Sequence, residues 1–377
     1  MTAVLLLDAT PIELGALSVL GVLPGALVAW WAGAWIDRRS RQTVMVAADW
    51  ARAMLIATVP IAAIMGHLTL YHLAGIAAMV CMATVMFEIA DHALLPAIVG
   101  RDHLIDANSR RETVDAMAEI TGPPLGGLLV QWLTAPIALV VDAFSFVASA
   151  LLIGRIRGSD DVVLPAATTN GRPPSLIAEA RQGLAVVWES PLLRSLLMST
   201  TLLTFSTSFL ASLYTLFALK TLGLTPGVLG LVIGCGGIGA LGGAALAPRL
   251  VRRFGADRVI IVSLLSGAAA QIFIPLAPAE PLLAALFLTL SQLIGDGLLT
   301  VYAVTEISLR QRAVADRMLG RAAAVWKMSI SLASPAGMIV AALLAEHAGL
   351  RVALFGLVAG ALMAAVPLIA MPRARRL

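Results

Sequence analysis

Long apolar runs recur along almost the whole chain, each close to bilayer length and each ended by a short polar turn. Such runs are apolar on every face, and lipid supplies no partner for an open backbone, so they read as membrane-crossing helices. The pattern predicts eleven spans, at about 13–36, 43–65, 70–93, 112–133, 136–153, 192–219, 228–250, 259–274, 281–307, 322–346 and 352–371. The widest polar interval runs from Arg155 to Ser190. Within it Ser175 is placed to cap a helix with Glu179 in its first turn, and Leu176, Ala180, Leu184 and Val187 share one apolar face. This predicts a cytoplasmic linker, 155–190, holding a helix that lies along the membrane surface. It separates an amino-terminal membrane half, 1–154, from a carboxyl-terminal half, 191–377. The fold class is an all-α polytopic membrane protein.

Composition agrees. The 377 residues are 59% hydrophobic and 13% charged, with a mean hydropathy of +0.93, well beyond what a soluble domain carries. Cys81 and Cys235 both lie inside apolar runs and read as small packing residues, not as a disulfide or metal site. The net charge of +4 matters through its distribution. Of 26 Lys and Arg, 22 fall in one alternating set of connections or the tail, whereas the other set holds only Lys220 and Arg351. The arginine-rich side is therefore cytoplasmic. Nothing points to nucleic acid. Enzyme chemistry is also excluded, because H-E-x-x-H, G-x-S-x-G and nucleotide-binding loops are all lacking.

Two motifs stand out. Gly33-Ala-Trp-Ile-Asp37-Arg38-Arg39-Ser-Arg41 forms a tight basic turn between two spans. It resembles the signature G-x-x-x-D-R-x-G-R-[RK] of the major facilitator superfamily. Gly33, Asp37, Arg38 and Arg41 match it, while Ser40 replaces a glycine and Gln42 a base. Gly122-Pro123-Pro124-Leu125-Gly126-Gly127 resembles the end of that superfamily's antiporter signature. Its prolines remove backbone donors and its glycines let a neighbouring helix approach. A packing role and a coupling role are compatible. Ala93-Leu-Leu-Pro96, Leu104-Ile-Asp-Ala-Asn108, Ser308-Leu-Arg-Gln311, Asp316-Arg317, Gly320-Arg321 and Ser334-Pro335-Ala-Gly337 resemble the branch of multidrug, macrolide and siderophore exporters. A weak internal repeat aligns Gly33-x3-Asp37 with Gly243-x3-Ala247, followed by Arg249, Arg252 and Arg253. The resemblance implies a facilitator fold in two pseudo-symmetric halves, here with five and six spans. The first full span then corresponds to the family's second helix, and Met1–Leu7 to the last turns of a first helix otherwise absent.

Charges inside spans are costly and mark sites or partners. Asp49 and Arg52 are three apart and pair on one helix face. Asp142 is a lone acid in the outer part of its span. Glu112, Asp115 and Glu119 form one acidic stripe, with Glu119 about 10 Å deeper than Glu112. An acid in a partly dry site beside another acid titrates nearer neutrality. Glu119, followed by Asp115 and Glu112, is thus the proton-carrier candidate, and salt bridges to Arg52, Arg110 or Arg111 are the competing reading. Asp296 and Lys327 both lie about 12–18 Å from a shared cytoplasmic turn and pair across two antiparallel helices. By resemblance, the family's first, fourth, seventh and tenth helices line the cavity, which places Glu88, Asp91, the hydroxyl face Thr204, Ser208 and Ser212, Asp296 and Glu306 near substrate. Asp37 and its arginines then belong to the cytoplasmic gate.

These readings converge on a secondary active exporter of a small amphipathic molecule in the cytoplasmic cell membrane. It works as a monomer, without a cofactor, on the proton gradient and by alternating access. An importer and a non-transporting protein of the same fold are the alternatives. The charge bias predicts Met1 outside and Leu377 inside if eleven spans insert. Cysteine labelling of intact cells tests this: Gly66→Cys should react from outside and Ser40→Cys only from the cytoplasm.

Overall fold

The computed structural model describes residues 1–36, 39–99, 104–156, 176–315 and 318–371. All regular elements among them are helices. The amino-terminal elements are α1 (Thr2–Leu5), α2 (Pro11–Leu20), α3 (Leu23–Ile36), α4 (Arg41–Ile64), α5 (Leu70–Val99), α6 (Leu104–Leu133) and α7 (Ala135–Ile153). The linker helix is α8 (Leu176–Glu189). Then come α9 (Pro191–Leu216) with a π-helical extension Phe217–Thr221, α10 (Pro226–Phe254), α11 (Ala256–Ala270) and α12 (Phe273–Leu276). The chain continues through α13 (Pro281–Leu290), a π-helical stretch Ser291–Asp296, α14 (Gly297–Ala313), α15 (Leu319–Ala348), α16 (Leu350–Met363) and α17 (Val366–Ile369).

Among the described residues, ten helices are long and apolar enough to cross a membrane. The eleventh predicted span, 112–133, lies in α6, which is helical throughout and about 45 Å long. Asp115, Glu119 and the Gly-Pro-Pro run dilute its apolar content, so it falls outside the ten. The predicted single span 13–36 consists of α2 and α3. Proline spacing explains that break and two others. A proline ring clashes with the carbonyl four residues earlier. Pro24 opposes Leu20, where α2 ends; Pro275 opposes Gln271, just past the end of α11; Pro367 opposes Met363, where α16 ends. Gly255, at φ +83°, lets α10 and α11 join through one residue.

The chain forms two compact units. One comprises Met1–Ala118 with Leu128–Gly171, the other Glu119–Gly127 with Arg172–Leu377. The division at 171/172 falls inside the predicted linker, and one segment of α6 packs with the carboxyl-terminal unit instead of its own half. In the amino-terminal unit α4 is central, packed on α5 and α7, with α2 and α3 against α5. In the carboxyl-terminal unit α9 packs on α15 and α16, and α10 and α11 pack on α14. The linker helix α8 docks by Gly183 and Val187, one turn apart. A Cβ on Gly183 would meet the Arg321 carbonyl at 2.6 Å, and Val187 is fully buried. The predicted shared face of Leu184 and Val187 is therefore divided, with Leu184 and Trp188 exposed.

Glycines on two faces of α10 set the closest packing. Gly230, Gly234 and Gly237 meet the α6 segment: Cβ atoms on Gly234 and Gly237 would meet Pro124 Cγ at 2.7 Å and Ile120 Cγ1 at 2.8 Å, and one on Gly230 would strike the Pro123 carbonyl. Gly239 and Gly243 meet Leu293 and Gly297 backbone in the same way. Gly230→Ala should therefore lower stability by about 1–3 kcal/mol, as overpacking does. Gly242→Ala, which meets nothing within 4 Å, should be neutral or gain up to about 1 kcal/mol from helix propensity. Thermal unfolding in detergent compares the two.

Candidate functional site

The cytoplasmic signature is partly described. Gly33 lies in α3, and Asp37 and Arg38 lie outside the described residues. Both departures from the family signature have local work. Ser40 caps α4, its Oγ accepting from the Thr43 amide at 3.3 Å, directly before Arg41. The Gln42 side-chain amide donates to the Ile153 and Ile156 carbonyls at 2.7 and 3.0 Å, tying α4 to the end of α7. Arg39 stacks over Trp35 at 4.4 Å.

In the antiporter-type motif Pro123 and Pro124 stay inside continuous helix. Gly127 is the close-approach glycine, its Cα side facing Gly230 and the Pro226 carbonyl. A Cβ on Gly122 or Gly126 would meet nothing within 4 Å among the described residues, so neither position needs a glycine for close approach there. One turn before the motif stands Glu119, exposed. Across α10 lies the π-helical stretch, which ends at Asp296. The Asp296 carboxylate lies against Gly236, where a Cβ would collide with Oδ2. Glu119 and Asp296 are within electrostatic reach of each other. Neither has an ion-pair partner among the described residues. The Tyr214 hydroxyl is buried without a hydrogen-bond partner and also feels the charge of Asp296.

The structure does not bring Asp296 and Lys327 together: Lys327 is exposed, and no ion pair joins it to Asp296 among the described residues. The reason is packing, since α15 lies on α8, α9 and α16 whereas the π stretch lies on α10, α11, α13 and α14. Asp115 and Asp91 lie 3.7 and 2.9 Å from Arg111, so the ion pairing weighed as the competing reading is present for both. Nothing is described of the Glu112 side chain. Glu88 is exposed. The hydroxyl face of α9 is a seam: Ser208 bonds to the Thr204 carbonyl at 2.6 Å and to Ser334 of α15 at 3.1 Å, and Ser212 is buried. Small side chains there let α15 approach, with Gly337 against Phe205 and Ser208. Glu306 is 4% exposed and lies 3.8 Å from Arg310, whose guanidinium stacks on Trp326 at 4.8 Å.

Asp49 and Arg52 pair as predicted, both buried inside the amino-terminal unit. Arg52 is also clamped between the rings of Phe87 and Phe146, each 4.4 Å from the guanidinium carbon.

The family model described as transmembrane secretion effector matches residues 3–375. The chain belongs to this family of the major facilitator superfamily. The multidrug efflux pump Tap of Mycolicibacterium fortuitum is 27% identical over 98% of this chain and 90% of its own length. Macrolide efflux protein A of Streptococcus pyogenes is 22% identical over 89% and 81%. A bacterial homologue of the iron transporter ferroportin, solved facing inward, shares the fold at TM-score 0.76 and 19% identity, over 97% and 91% of the two chains. This secretion effector is thus a multi-pass membrane transporter and not an enzyme.

Sequence reasoning missed the Glu119–Asp296 approach, because it depends on which helix the glycines of α10 face. It also missed the two rings on Arg52, which come from α5 and α7. No group of three or more potential metal ligands occurs among the described residues. The buried pair gives a clear expectation. Arg52→Met should strand Asp49 and cost about 3–5 kcal/mol. The double variant Asp49→Asn with Arg52→Met should recover much of that loss in thermal unfolding. Losses from Asp296→Asn and Lys327→Met should instead simply add.

Proposed function

We propose that this secretion effector exports a small amphipathic molecule across the cell membrane in exchange for protons, working as a monomer by alternating access. It needs no bound cofactor, since the proton gradient supplies the energy. The efflux pumps among its relatives support the export direction. The observation that carries the coupling is that Glu119 and Asp296 are within electrostatic reach of each other, with no basic ion-pair partner for either among the described residues.

Two neighbouring carboxylates repel when both are ionised, and one proton relieves that repulsion. A cationic substrate group would relieve it equally. Proton and substrate then compete for one negative site, and competition converts a downhill proton into uphill export. The site joins the Gly-Pro segment of α6 to the π stretch before α14, so loading it changes the force between two elements that α10 holds close. Asp37 and Arg38, with Arg41, act in the cytoplasmic gate in this reading. Asp296, predicted as a structural partner of Lys327, here becomes a working acid.

Reconstituted transport tests it. Glu119→Gln should lower pH-driven export by roughly tenfold or more while substrate counterflow persists. Asp296→Asn should do the same, and the double variant should be no worse than either single change, as for groups that act as a unit. Full proton-driven export by Glu119→Gln would refute the coupling role.

A further inference from the structure

We infer that Asp142 is a second proton-binding site, in the amino-terminal unit, held in place opposite an Arg52 guanidinium that Asp49 and two phenyl rings fix. Four observations carry this. Arg52 is buried at the middle of α4, an expensive position for a cation that demands compensation. The rings of Phe87 of α5 and Phe146 of α7 both lie 4.4 Å from its guanidinium carbon, which takes up part of its surface. Asp49 occupies another part. Yet Arg52 Nε and Asp49 Oδ2, both fully enclosed, have no hydrogen-bond partner among the described residues.

Asp142 stands one turn before Phe146 on α7, hence on the face that covers Arg52, and lies within electrostatic reach of the guanidinium. Unlike Asp49, which is 0% exposed, Asp142 is exposed. It is also only about 10 Å along α7 from the helix start at Ala135. In the orientation that the basic loops predict, that start faces outside, the side from which protons enter.

Charge counting gives the chemistry. Asp49 already neutralises Arg52 one to one, so ionised Asp142 leaves the cluster at net −1 and protonated Asp142 leaves it neutral. The neutral form suits a low-dielectric setting. Binding is a simple proton transfer from water to a carboxylate oxygen, with no bond broken elsewhere. When the proton leaves, the free Nε edge of Arg52 offers the carboxylate a partner. Other charges nearby are few. α7 packs against α4 and α1. The remaining charge of α4 is Arg41 at its far end, α1 brings only the Met1 amino group, and Asp8 follows α1. Glu88 adjoins Phe87 on α5.

Infrared difference spectroscopy of the full chain in nanodiscs reads the site directly, by titrating the carbonyl-stretch band of protonated carboxyl groups across a wide pH range. The expected result is loss of one titrating band in Asp142→Asn, a shift of that band in Asp142→Glu, and its persistence in Glu119→Gln. Asp49→Asn leaves Arg52 with Asp142 as its remaining counter-ion, so the same band should move to lower pH although Asp142 is present. A spectrum unchanged by Asp142→Asn and Asp142→Glu overturns the site, and a band untouched by Asp49→Asn overturns the coupling through Arg52. The readout is an equilibrium titration without substrate, so it stands or falls separately from the Glu119–Asp296 exchange site.

Discussion

Backbone touching backbone along α10 is the constraint on which the carboxyl-terminal unit depends. On one face Gly230 admits the Pro123 carbonyl of α6 while Gly127 of α6 admits the Pro226 carbonyl of α10, and on another face Gly239 and Gly243 admit the carbonyls of Leu293 and Gly297. In a membrane there is no hydrophobic force between helices, so such close approach and its dispersion contacts do the holding. The geometry has a functional result as well. α10 packs through its glycines against both the α6 segment that carries Glu119 and the stretch that ends at Asp296, and these two acids are within electrostatic reach of each other. Gly236 shows the limit, because any larger residue there would occupy the space of the Asp296 carboxylate.

The π-helical stretch Ser291–Asp296 works with that seam. A π turn inserts an extra residue and rotates the helix beyond it, a device frequent at functional sites. Here it falls where the chain passes from α13 to α14 and ends on the acid itself. Gly295 and Gly297 flank Asp296, so the carboxylate is the only side chain in its immediate stretch. A second π-helical stretch, Phe217–Thr221, extends α9 just beyond Tyr214, whose unpartnered hydroxyl feels the same acid.

Charge is used differently in the two units. In the amino-terminal unit acids are matched to arginines: Asp49 to Arg52, and Asp91 and Asp115 to Arg111. These pairs hold helices, and breaking one strands its partner in low dielectric. In the carboxyl-terminal unit Glu306 is matched to Arg310, but Glu119 and Asp296 are within electrostatic reach of each other and have no basic ion-pair partner among the described residues. An unmatched acid pair is unstable as a structural element and useful as a carrier, which is why it attracts the coupling role.

Much of this was legible in the residues alone. Apolar run length gave the spans, because a helix in lipid needs a minimum apolar length and nothing else. Arginine placement gave an orientation, the motifs gave the family, and three-residue spacing gave the Asp49–Arg52 pair, since local geometry fixes i,i+3 neighbours. Even the interruptions of α2–α3, α11–α12 and α16–α17 trace to Pro24, Pro275 and Pro367. What the sequence left undetermined was which face of each helix meets which neighbour. The pairing of Asp296 with Lys327 rested on equal depth, and depth says nothing about adjacency. The hydroxyls of Ser208 and Ser212 suited a polar cavity and a tight seam equally well. Those choices belong to tertiary packing, where the steric profile of distant glycines decides which helices may touch and therefore which charges must live together.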